Sequence, residues 1–301
     1  MTCDSSSIEA STRAAASACC RRRGAAAACV ASAALVVLAA LSFEQASVWR
    51  NSRILFERTL AANPLSAVAM QHLGVLAAEA GDHHGALKWF DEALKSHAEH
   101  AELHHARAVS LRALGQSQLA LEEFRQAVRL NPRWPAARRH LGRLLAESGD
   151  TNAAIAEYEV AVRLAPADFD SRLGLGALLE RCGRADDARR QYAAALEIDP
   201  RRASAHYNLG NVALRSGAID EAIQRYRDAL RLEPRHARAH VNLSAALLAS
   251  GDPAGAVEHC RAALEIEPGL AEANGLLARA LEALSGEPAP DDRPGASSGN
   301  P

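Results

Sequence analysis

Aromatic side chains make up only 4% of this 301-residue chain, too few for a core built on large rings. Charge is nearly balanced, with a formal net of -2, so the global basic excess of a nucleic-acid binder is missing. Six cysteines stand at positions 3, 19, 20, 29, 182 and 260. None forms a C-x-x-C pair, which leaves neither a disulfide framework nor a cysteine metal site. No P-loop and no H-E-x-x-H occurs, and Cys182 and Cys260 have no base or orienting group beside them. The repeat frame expects those two thiols at buried or half-buried helix positions. No residue carries an enzyme reading, and no cofactor is expected.

What the chain has in abundance is alanine and a period. Prolines recur every 34 residues at Pro132, Pro166, Pro200, Pro234 and Pro268, with Pro64 in frame and Ala98 where one is missing. Gly81, Gly115, Gly149, Gly183, Gly217 and Gly251 keep the same period, as do alanines from Ala86 to Ala256 and from Ala93 to Ala263. Self-similarity at this spacing marks stacked helix–turn–helix units, in which neighbours bury each other's apolar stripes. The fold class is therefore all-α, a right-handed α-solenoid. In the copy at 203–236, one helix carries Leu209, Gly210, Ala213 and Leu214 on a single face. Gly217 ends it, because a residue without Cβ tolerates a left-handed turn. A second helix runs from about Asp220 to Leu232 with Ala222, Ile223, Tyr226 and Ala229 as its stripe, and Pro234 breaks it. The small residues let helices approach, and Tyr226 fills the space between them.

The order Leu-Gly, Gly, Ala, aromatic, Ala, Pro in this frame resembles the tetratricopeptide repeat (TPR) family over residues 67–270. The units are 67–100, 101–134, 135–168, 169–202, 203–236 and 237–270. The aromatic reads Phe90, Phe124, Tyr158, Tyr192 and Tyr226, with Cys260 in the last copy. Residues 271–285 repeat the first-helix pattern alone, as a capping helix, and 286–301 read as a disordered tail. Residues 47–66 fall in second-helix register, a partial repeat with Phe56 at the aromatic position.

Ahead of the repeats, a disordered basic tail (1–23) ends in Arg21, Arg22 and Arg23. Residues 24–43 then carry no charge. At roughly 30 Å as a helix, this stretch is long enough to cross a bilayer core. Nine of its twenty residues are alanine. Three readings stay open: a transmembrane signal anchor, a cleaved signal peptide, and a soluble alanine-rich helix. The anchor reading makes the protein single-pass, with its repeats on the periplasmic, lumenal or extracellular side. The junction at 35–66 resembles that of transmembrane-and-TPR protein O-mannosyltransferases, polytopic glycosyltransferases, but the catalytic membrane domain is missing. That likeness implies, as an alternative function, a repeat tail presenting substrates to a glycosyltransferase in another chain.

The TPR resemblance implies a concave groove lined by the first helices. Its candidates are Gln71, His72, His105, Val109, Arg139, His140, Arg143, Tyr207, Asn208, Asn211 and Asn242. A basic centre beside an amide-rich half suits an extended, acidic peptide or protein segment. The competing reading is a solvated basic face. Asn208 and Asn242 also match the asparagine ladder of glycosyltransferase-type TPRs, in two of six copies. His97, His100, His104 and His105 crowd one turn and read as solvated, with no metal assigned. The expected function is a membrane-tethered TPR scaffold, non-enzymatic, that binds protein or peptide. A soluble TPR adaptor is the other alternative.

Overall fold

The computed structural model describes residues 52–285; the proposed span at 24–43 and both tails lie outside them. All fourteen described elements are helices, and they fall into two compact units. Met1–Glu99 contains α1 (Ser52–Ala62), α2 (Ala67–Glu79) and α3 (His83–Ser96). His100–Pro301 contains five hairpins. These are α4 (Ala101–Ala113) with α5 (Ser117–Leu130), α6 (Pro135–Glu147) with α7 (Thr151–Leu164), and α8 (Phe169–Arg181) with α9 (Ala185–Ile198). Then come α10 (Ala203–Arg215) with α11 (Ile219–Leu232), α12 (Ala237–Ala249) with α13 (Pro253–Ile266), and the single helix α14 (Ala271–Ser285).

The hairpins follow the period closely. Each first helix has 13 residues and each second helix 14. The turn glycines take φ between 74° and 89°, a conformation that costs an L side chain on the order of 1–2 kcal/mol. This is why one glycine recurs at that point of every copy. Asp82, Asp150 and Asp252 each accept a backbone N–H three residues on, capping three of the second helices. The alanines at the second-helix contacts, Ala154 to Ala263 among them, are fully buried.

The leucine–glycine pair has a more specific task than close helix approach. A Cβ placed on Gly210 would stand 2.6 Å from the Tyr226 ring, and one on Gly176 would stand 2.6 Å from the Tyr192 ring. Glycine here makes room for the aromatic side chain of its own hairpin. In the last hairpin Cys260 replaces the ring, and its thiol donates to the Ser244 hydroxyl at 3.2 Å. Cys260 is buried as expected, whereas Cys182 is exposed. It lies one residue past α8, at the C-cap, where the chain turns away from the core.

In the first unit, α1 has no buried residue, and Phe56 stacks on His72 with ring centroids 4.3 Å apart. In the second, successive first helices α6, α8, α10 and α12 touch along one side, and α14 covers both helices of the last hairpin. Among the described residues no helix is long and apolar enough to cross a membrane.

Candidate functional site

The side on which α6, α8 and α10 meet opens into a cleft of about 560 Å³. Three of the expected groove residues come from one turn-and-a-half of α6: Arg139, His140 and Arg143. Asn208 reaches in from α10. The rest of the wall was not foreseen: Tyr158 from α7, and Asp170, Leu173, Gly174 and Ala177 from α8. Gly174 stands at the ladder position that Asn208 and Asn242 hold in later copies. A Cβ there would meet the Tyr158 ring at 2.6 Å, so the phenol occupies the place of the missing side chain.

The two arginines are not equivalent. Arg139 donates to Asp170 at 2.9 Å and lies 3.6 Å from Asp168. Asp170 is shared in turn with Arg202 at 3.3 Å. Arg139 is thus neutralised by the next hairpin, and half of the expected basic centre with it. Arg143 donates to His140 Nδ1 at 3.1 Å and has no carboxylate at ion-pair distance among the described residues; like that of Arg139, its Nε is buried without a hydrogen-bond partner. Burial and the nearby Arg112 guanidinium lower its pKa.

The imidazoles beside it are neutral. Burial, then the charge of Arg139, pushes His105 down to about 4. Burial, then His105 and Arg143, pushes His140 down to about 3. His105 does not project freely into a groove. It packs 4.7 Å from Trp134, 4.9 Å from His140 and 5.4 Å from Phe124, centroid to centroid.

The amide-rich half is largely self-satisfied. Asn211 Oδ1 accepts from Tyr226 Oη at 2.9 Å and from Asn242 Nδ2 at 2.8 Å. Asn242 also donates to Tyr207 Oη at 3.2 Å. These residues line a second hollow of about 220 Å³. Only Asn208, of the four expected groove residues in this half, lines the larger cleft. Gln71 and His72 belong to the other unit, half-buried and exposed respectively. Among the described residues no three His, Cys, Asp or Glu side chains gather into a metal cluster; His100 pairs with Glu102 at 3.1 Å and His104 with Glu123 at 2.6 Å.

Tetratricopeptide repeat family models match residues 37–101, 105–169 and 212–271, and a second such model matches 169–235. The chain belongs to the tetratricopeptide repeat family. The first match begins inside the uncharged stretch, taking in residues 37–43. No curated protein sequence matches this TPR chain. Solved structures do resemble it. The Cut9–Hcn1 hetero-tetramer of the APC/C superposes with a TM-score of 0.63 at 20% identity. That match covers 77% of this chain and 46% of the other, so the TPR chain spans less than half of its length. Pseudomonas aeruginosa PilF gives 0.64 at 20% identity, over 71% of this chain and 97% of its own. YrrB, described as a TPR protein with an unusual peptide-binding site, gives 0.54 at 24% identity, over 61% and 95%. At these identities the likeness is one of fold alone.

Proposed function

We propose that this TPR chain is a non-enzymatic scaffold that binds an extended peptide or protein segment in the cleft between α6, α8 and α10. The observation that carries this reading is Arg143, a half-buried guanidinium in the wall of an open cleft with no carboxylate at ion-pair distance among the described residues. An arginine in such a place is completed by an incoming carboxylate, which supplies charge and hydrogen bonds together. The Tyr158 hydroxyl, without a hydrogen-bond partner among the described residues, and the Asn208 amide stand ready for the backbone of the same segment. The partner segment is therefore acidic, with one carboxylate seated at Arg143 rather than a run of them, because Asp168 and Asp170 already occupy Arg139.

An array of capped peptides differing in acidic residues, probed with the full-length chain and with Arg143→Gln, tests this. The substitution leaves the Arg139–Asp168–Asp170 group untouched. Acidic peptides should bind the parent chain and lose roughly tenfold or more with the variant, as for a buried charge-assisted pair. Equal retention by both proteins, at equal helicity, refutes the reading.

The membrane tether through 24–43 and the far-side placement of the repeats remain part of the proposal. A soluble adaptor is favoured by one observation: the TPR match reaches back to residue 37, overlapping the end of the apolar stretch. Alkaline carbonate extraction with protease protection of the repeats separates the two. Retention in the pellet with protected repeats supports the tether, and release supports the adaptor.

A further inference from the structure

Each hairpin from α6 onward in the second unit repeats a polar strut absent from the sequence expectations. A side chain early in the first helix reaches back six residues to a prolyl carbonyl. Arg138 Nε donates to Pro132 at 2.8 Å and Arg172 Nε to Pro166 at 2.7 Å. His206 Nε2 and His240 Nε2 meet the carbonyls of Pro200 and Pro234, each at 3.1 Å. In the two arginine copies the other end of the side chain crosses to the second helix, nineteen residues on, whereas His206 Nδ1 lies 3.8 Å from Asp228 and makes no hydrogen bond. There Arg138 meets Glu157 at 2.7 Å, and Arg172 meets Gln191 at 3.3 Å. His104 makes the same crossing to Glu123. Every one of these crossings ends on an oxygen.

In the last hairpin it ends on another imidazole. His240 Nδ1 and His259 Nδ1 stand 3.0 Å apart, with ring centroids at 5.2 Å. To donate to the Pro234 carbonyl, His240 carries its proton on Nε2, so its Nδ1 presents a lone pair. The single proton between the rings then belongs to His259 Nδ1.

We propose that His240 and His259 form a two-imidazole seat for a divalent transition-metal ion of the copper or nickel type, joining α12 to α13. The change needed is a proton shift and a turn of both rings. The His259 proton moves from Nδ1 to Nε2, no proton is released, and both Nδ1 atoms then offer lone pairs. Metal–imidazole bonds of about 2.0–2.1 Å place two cis ligands of a tetragonal ion about 2.8–3.0 Å apart, and two ligands of a tetrahedral ion about 3.3–3.4 Å apart. The nitrogens stand at the tetragonal spacing, but with centroids 5.2 Å apart the rings meet nearly head-on, so each must turn by roughly 30° to aim its lone pair at a shared ion. The Pro234 carbonyl holds His240 from behind, as outer-shell acceptors hold metal-bound imidazoles. Both rings are half-buried, so water completes the coordination. Glu258 and Asp252 favour a cation at His259, and Arg227 opposes it.

Calorimetric titration of the untagged full-length chain with Cu²⁺ or Ni²⁺ tests the seat. His259→Gln copies Gln191 and preserves a strut partner, His240→Gln removes the other ligand, and a His100→Gln/His104→Gln chain controls for the histidine cluster at 97–105. One site should weaken by at least about tenfold in each of the first two variants and persist in the control. In the parent chain, substoichiometric Cu²⁺ should broaden the ¹⁵N imidazole resonances of His240 and His259 before any others. Unchanged affinity in either single variant, or first broadening at other histidines, overturns the proposal.

Discussion

Gly210→Ala isolates the steric logic of these hairpins. The added Cβ would lie 2.6 Å from Tyr226 Cε1 and 2.7 Å from Cδ1, against an optimal carbon–carbon separation of about 3.5–4.0 Å. The ring must therefore retreat by roughly 1 Å. It is fully buried, and its hydroxyl is pinned on Asn211, which Asn242 pins in turn. Overpacking of this kind costs about 1–3 kcal/mol, while alanine in mid-helix returns about 0.5–1 kcal/mol over glycine. Because the ring is pinned, the upper half of the overpacking range applies, and the net expectation is a destabilisation of about 1–2.5 kcal/mol. The α4/α5 hairpin supplies the control, since Ala108 there coexists with the buried Phe124, a ring with no hydroxyl to hold it. Adding Tyr226→Phe should free the ring, so the double variant should be more stable than the sum of the two single changes implies. Repeat arrays unfold in parts, so urea denaturation followed by circular dichroism is best paired with hydrogen exchange of α10 and α11 amides. A Gly210→Ala chain as stable as the parent, or strict additivity in the double variant, refutes the argument.

Gly217→Ala should cost about 1–2 kcal/mol for a different reason: its φ is 77° and an added Cβ meets nothing, so Gly217→Asn should recover part of the loss in a thermal melt. Asp252→Ala removes the cap on Gly255 N–H at 2.9 Å and should cost about 0.5–2 kcal/mol, checked by the same melt. Ala188→Trp, at a site with no exposure, should break the α8/α9 hairpin and lower helicity. The pH dependence follows from His105 and His140, held at about 4 and about 3 against an ordinary 6.5. The unfolded chain takes up those protons first as pH falls, so their contribution is intact above the ordinary value, declines below it and levels off beneath the folded values. The urea midpoint should drop between about pH 7.5 and about pH 4.5, and drop less in His140→Gln.

The architecture was readable because proline and glycine act through the backbone, which the sequence states directly. Gly217 takes its left-handed turn and the helix expected from Asp220 starts one residue earlier, at Ile219. The site was only half readable. Helical register brought Arg139, His140 and Arg143 to one cleft with Asn208, but register is silent on pairing across hairpins. It therefore missed Asp170, which takes Arg139, and the Asn211–Asn242 bond, which withdraws two amides from any ligand. The aromatic register marks Tyr158 as filler, and only the glycine at 174 signals that its ring reaches the cleft. The struts did leave a trace, in the histidine or arginine recurring at 104, 138, 172, 206 and 240, visible once the frame is extended to polar positions.

Asn211 has a consequence for anyone who would rearrange this chain. One carbonyl oxygen receives the Tyr226 hydroxyl from its own hairpin and the Asn242 amide from the next. Cutting between those hairpins and grafting another copy would leave the half-buried Asn242 amide without both of its acceptors, Tyr207 and Asn211. A 34-residue repeat is the unit of the sequence, yet here the smallest cassette that transplants intact is a pair.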